Sequence, residues 1–125
     1  MLTLSNGIHV GVQSFCFREF ANEQIVGMLK ECGLDTIELF KKHAGIEERR
    51  EEEVIRLYRD HGIAISSFGI NPYPNNEAEI RPYFEFAKKA GIRYLGASPA
   101  PDSFGLLERM CEEYDIGIAI HNHGR

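Results

Sequence analysis

The chain has 125 residues, 43% of them hydrophobic and 26% charged, with 14 Lys and Arg against 19 Asp and Glu for a net charge of −5. That suffices for one domain around one core, and it is about half of the ~250 residues in a complete eight-fold βα barrel. Acidic balance without a basic run argues against a nucleic-acid partner, and with no run of ~18 apolar residues a membrane span lacks support.

The elements follow one another as copies of a short phrase. Gly7-Ile8-His9-Val10-Gly11-Val12 opens a first strand, expected over 9–15. Asn22 before Glu23 marks a helix start, and Ile25, Met28, Leu29 and Cys32 fall at i, i+3, i+4 and i+7 of one apolar stripe. Gly33-Leu34-Asp35-Thr36-Ile37-Glu38-Leu39 ends that helix and opens a second strand over 36–39. Residues 47–61 put Val54, Ile55, Leu57 and Tyr58 on an apolar side, with charges elsewhere, and read as a second helix. Gly62-Ile63-Ala64-Ile65-Ser66-Ser67 begins a third strand over 64–68. The helical spacing returns at Ile80, Tyr83, Phe84 and Ala87, and Pro82 requires this third helix to start within a residue or two of it. Gly91-Ile92-Arg93-Tyr94-Leu95-Gly96-Ala97 supplies a fourth strand over 94–97. A fourth helix starts at Asp102 or Ser103 and carries Leu107, Met110, Cys111 and Tyr114 inward. Asp115-Ile116-Gly117-Ile118-Ala119-Ile120-His121 closes the series with a fifth strand over 117–121.

These phrases begin 26, 29, 29 and 24 residues apart. A Gly, or Asp in the last copy, suits the left-handed residue that ends a helix, with the next apolar residue packing back on the last turn. Strict alternation at this pitch predicts right-handed βαβ crossovers and a parallel sheet. The fold class is therefore α/β, with parallel βα repeats forming the (βα)4β5 portion of a TIM barrel. Residues 1–125 make a single partial domain, and an open flavodoxin-like five-stranded parallel sheet is the alternative. The three cysteines, Cys16, Cys32 and Cys111, are odd in number and widely spaced, which fits a reducing cytoplasm. Those on helix stripes read as small core residues. Residues 1–11 carry no basic n-region, so export is not expected.

In a parallel βα sheet, ligand groups gather at the C-terminal strand ends. Those ends offer Gln13, Ser14 and Phe15, then Glu38 with Lys41, Lys42 and His43, then Ser66, Ser67 and Asn71, then Ser98, and finally His121, Asn122 and His123. His121 and His123 sit at i and i+2, on one side of an extended strand, and imidazole is the commonest metal-ligating side chain. Two ligands are fewer than the three or four that hold a divalent ion. Glu38 interrupts an apolar strand, so its carboxylate must face a polar cavity or pair with Lys41 or Lys42. His9 and His61 read as structural.

Val10-Gly11-Val12-Gln13-Ser14-Phe15-Cys16-Phe17-Arg18-Glu19, Cys32-Gly33-Leu34-Asp35-Thr36-Ile37-Glu38-Leu39, Ala97-Ser98-Pro99 and Ala119-Ile120-His121-Asn122-His123-Gly124 together resemble the sugar phosphate isomerase/epimerase family of xylose isomerase-like barrels. The resemblance implies a βα barrel with a divalent metal (Mn, Mg, Co or Zn) at its C-terminal face and a small carbohydrate substrate. Metal-assisted proton transfer through an ene-diolate is the chemistry it implies. It makes Glu38, His121 and His123 the catalytic candidates, with His121 and His123 as metal ligands. Gln13, Ser14, His43, Ser67, Ser98 and Asn122 become substrate contacts. Most of the family's metal ligands come from strands six to eight, so a non-catalytic barrel fragment, or a half-barrel that must self-associate or join a complementary half, is a second reading. Endonuclease IV-like relatives carry His near strands three and four, where Ser67, Phe68 and Ser98 stand here, which counts against DNA repair.

Overall fold

The computed structural model describes residues 6–123. Five strands run in chain order: β1 (Val12–Gln13), β2 (Thr36–Leu39), β3 (Ala64–Tyr73), β4 (Tyr94–Pro99) and β5 (Gly117–Ile120). Between them lie α1 (Asn22–Glu31), the single turn α2 (Lys41–Ala44), α3 (Glu51–Asp60), α4 (Glu77–Ala90) and α5 (Phe104–Tyr114). A 3-10 turn, Ser14–Phe17, leaves β1.

All pairings are parallel, and the spatial order is β1-β2-β3-β4-β5. A flavodoxin-like sheet has the order 2-1-3-4-5, and its reversal places helices on both faces. Here the order never reverses, so each right-handed crossover lays its helix on the same face. The sheet is thus a barrel-type segment and the flavodoxin alternative falls. It is open, with β1 and β5 as its two edges.

Burial follows from that one-sided cover. On β2, Ile37 and Leu39 are fully buried while Thr36 and Glu38 between them are half-buried. Phe68, Leu95 and Ala97 extend the buried face, packed under Ile25, Leu29, Tyr58 and Phe84 from the helices. Each large apolar side chain fully buried there contributes roughly 1.5–3 kcal/mol. Ser66, Tyr94 and Ala119 lie exposed on the opposite, helix-free face.

Four helix ends share one closure, which is the physical content of the repeat. Gly33, Gly62, Gly91 and Asp115 have φ of 69°, 70°, 74° and 55°. The N–H of the following residue (Leu34, Ile63, Ile92 or Ile116) donates to the carbonyl five residues back (Leu29, Tyr58, Ala87 or Cys111). That is the Schellman bond, and it folds an apolar residue onto the last turn.

Several boundaries differ from the sequence reading. β1 has two residues because the chain turns at Ser14, whose buried hydroxyl accepts the Phe40 N–H at 2.9 Å. The second helix begins at Glu51, and residues 41–44 form a turn of their own, ended by Gly45 at φ 73°. β3 and β4 run on to Tyr73 and Pro99, while β5 stops at Ile120. β3 absorbs its extra length in two bulges, since Ile37 faces Ile65 but Glu38 faces Ser67, and Phe68 faces Leu95 but Asn71 faces Ala97. At the second bulge Gly69 presses on Gly96, where any Cβ would collide with the Gly96 carbonyl.

Pro82 lies five residues inside α4, not in its first turn. It leaves the Ala78 carbonyl without its helical donor. The preceding turn is held by side chains instead: Asn76 accepts the Ala78 N–H at 3.1 Å and donates to Glu79, and Arg81 pairs with Glu77 at 2.5 Å. Asn22 does not cap α1, because its side chain is engaged by the His43 carbonyl and the Tyr58 hydroxyl. Cys32 is exposed and Cys111 half-buried, so neither is a core residue proper. The Schellman turn brings Leu34 against the core at the end of α1.

Candidate active site

The sheet register gathers the first set of candidates. Gln13 lies opposite Glu38, and Glu38 opposite Ser67, so three strands contribute to one row. Since Ile37 and Leu39 point into the core, the intervening Glu38 carboxylate stands on the helix-free face. The Gln13 side-chain Nε2 donates to Glu38 Oε1 at 2.9 Å and to the Gly69 carbonyl at 3.4 Å, spanning β1 to β3. Lys41 pairs with Glu47 at 2.8 Å, and Lys42 Nζ donates to the Arg18 carbonyl at 3.0 Å. Neither lysine therefore serves as the ion-pair partner of Glu38. The Ser67 hydroxyl donates to the Tyr94 carbonyl at 3.1 Å and knits β3 to β4.

Two residues past Gln13 and past Glu38, beyond the ends of β1 and β2, the chain places a pair of aromatic side chains in contact. Phe15 and Phe40 meet edge to face with centroids 5.4 Å apart, and Phe15 is 49% exposed. The Arg18 guanidinium lies over the Phe15 ring at 4.9 Å. Sequence reading passed over Phe40 and Arg18. The signal for Phe40 was the two-residue alternation continued past Glu38; Arg18 depends on the 3-10 turn and had none.

Ser14 and His43 lie beneath this surface, not on it. Ser14 is fully buried on the Phe40 amide, and His43 is 3% exposed. The His43 Nε2–H donates to the Phe20 carbonyl at 3.0 Å, an acceptor that selects this tautomer, while its buried Nδ1 has no partner among the described residues. Burial holds the imidazole below its ordinary pKa; the Phe20 carbonyl opposes that shift, and the charge of Lys42 adds to it. Asn71 is also buried, on the core side, so it does not reach the mouth.

The second set gathers at the other edge. The His121 N–H donates to the Ala97 carbonyl at 2.8 Å, extending the β4–β5 ladder beyond Ile120. His121 and His123 bring their rings to 4.6 Å, with Asn122 exposed between them. Ser98 is exposed on the adjoining end of β4, and Gly124 lies outside the described residues. From β2 to β5 is three strand steps, ~14 Å along the sheet at about 4.8 Å each, so Glu38 and the imidazole pair are separate groups. Among the described residues, no three His, Cys, Asp or Glu side chains converge as a metal-holding group. The imidazole pair fills two of the three or four positions a divalent ion needs. By itself this donor set does not fit the implied metal.

No protein-family model matches the sequence, and no curated protein matches it. Solved structures do. An uncharacterised protein from Parabacteroides distasonis superposes with a TM-score of 0.77 at 21% identity, covering 92% of this chain and 53% of its own. A protein described as the probable 3-DHS dehydratase AsbF, involved in petrobactin synthesis in Bacillus anthracis, superposes with a TM-score of 0.71 at 13% identity, covering 94% of this chain and 53% of its own. At such identities the likeness shows the fold, a TIM-barrel-type βα arrangement. The chain spans about half the length of these structures.

Proposed function

We propose that this chain forms part of a carbohydrate-processing active site in which Glu38 moves a proton during isomerisation or epimerisation of a small sugar or sugar phosphate. The observation that carries this reading is the Glu38 carboxylate itself. It stands on the helix-free face at a strand end, with one oxygen fixed by the Gln13 amide and no cation paired to it among the described residues. A carboxylate so placed removes a proton from the carbon beside a substrate carbonyl, giving an ene-diolate; returning it to the former carbonyl carbon, while the hydroxyl proton passes to the former carbonyl oxygen, gives the isomer, and its return to the opposite face of the same carbon gives the epimer. Gln13 holds Oε1, which leaves Oε2 for the transfer. His121, Asn122, His123 and Ser98 lie three strand steps away at the β4–β5 end of the sheet, and this reading assigns them to substrate hydroxyls. The solved neighbour described as a dehydratase is consistent with enzymatic use of this fold, although fold likeness alone assigns no reaction.

Solvent exchange tests the reading. Aldoses, ketoses and their phosphates incubated with the purified chain in deuterium oxide should gain deuterium at the carbon next to the carbonyl, followed by NMR. Glu38→Gln should slow that incorporation by roughly 10²–10⁴-fold, the usual worth of a positioned acid–base group. Exchange at an undiminished rate in that variant would remove Glu38 from the reaction.

A second reading has its own observation. Tyr94 on the helix-free face is 56% exposed, Ile120 on β5 is 55% exposed, and both sheet edges are unpaired among the described residues. Such surfaces are normally covered. The chain then works as a half-barrel closed by a second copy or by a complementary half.

A further inference from the structure

Two residues along the chain from Gln13 and from Glu38, Phe15 and Phe40 form an aromatic pair on which Arg18 rests. Phe15 on the 3-10 turn after β1 and Phe40 just past β2 meet edge to face, and Phe40 also packs on the His43 ring at 4.7 Å. Arg18 rests on Phe15, where cation–π attraction positions its guanidinium. The group is only lightly engaged, with Nη1 donating to the Phe15 carbonyl at 3.3 Å and Nε 3.9 Å from Glu19. Its loop is clamped from beneath: Lys42 donates to the Arg18 carbonyl at 3.0 Å, and His43 to the Phe20 carbonyl at 3.0 Å. An arginine with free donors on a braced loop, over an exposed ring two residues along the chain from Gln13, suits a ligand with three parts. The Gln13–Glu38 pair takes hydroxyls, the ring takes a C–H face, and the guanidinium takes an oxyanion in a bidentate grip.

We propose that Arg18 and Phe15 form a subsite for the anionic end, carboxylate or phosphate, of a polyhydroxylated substrate whose reacting end lies at Glu38. This rests on the carbohydrate reading of the mouth and adds the charge of the substrate to it. The test is an NMR titration of chain carrying labelled phenylalanine, with D-ribose, D-ribose 5-phosphate and D-ribonate as probes and Phe15→Leu to assign the ring signals. Either anionic probe should shift the Phe15 and Phe40 signals and bind roughly 5-fold or more tightly than ribose, a modest charge-assisted gain at a partly exposed site. Arg18→Gln should abolish that preference by weakening binding of the two anionic probes. Equal binding of neutral and anionic probes, or a preference that survives Arg18→Gln, overturns the subsite and leaves the carbohydrate reading standing. Absence of any shift at Phe15 and Phe40 with all three probes overturns both.

Discussion

His43 shows how a residue read as a loop candidate becomes a structural sensor. The imidazole is buried and held below its ordinary pKa of 6.5, mainly by desolvation. The unfolded chain therefore binds a proton more readily than the folded one. Its contribution is complete above pH 6.5 and is lost as pH falls from there through the depressed folded value. The denaturant midpoint should thus drop between pH 7 and 5.5, and His43→Leu should flatten that dependence. An unchanged slope in the variant would assign the loss to other groups. Sequence reading placed Glu38 and Gln13 at strand ends because alternation within each strand is local. It could not pair them, because their hydrogen bond spans 25 residues and depends on register. His43 was illegible for a related reason: it is buried by a turn from residues 14–20, and neither segment's pattern records the other.

At the scale of elements, the helix ends were the most legible part of the molecule. A left-handed closing residue followed by an apolar one is written contiguously, and all four closures form as the repeat implies. The bulges in β3 were not legible, because they answer to the Gly69–Gly96 approach between strands. The misjudged start of α4 has an energetic reading. Pro82 within the helix costs about 3 kcal/mol relative to Ala, while its restriction of the unfolded chain returns about 0.4–1 kcal/mol. Pro82→Ala, restoring a donor to the Ala78 carbonyl, should therefore stabilise the chain by roughly 2 kcal/mol in a denaturant titration. A destabilised variant would mean that the side-chain bonds of Asn76 and Arg81 depend on the proline geometry.

For the whole molecule, one covered face and one bare face determine solution behaviour. If the bare face is closed by a second copy, light scattering should give a dimer at micromolar concentration, and Tyr94→Lys should shift it to monomer. A stable wild-type monomer would favour a complementary half or a bare sheet. No helix among the described residues is long and apolar enough to cross a membrane. The strictly sequential strand order also bears on how the chain is made. Each strand after the first pairs with one completed a single repeat earlier, so closing the ~26-residue loop costs about 3 kcal/mol by chain statistics, nearly the same at every step. As synthesis proceeds, every emerging strand finds its template already displayed. The sheet can grow vectorially from the first pair onward, without an early segment waiting for a distant one.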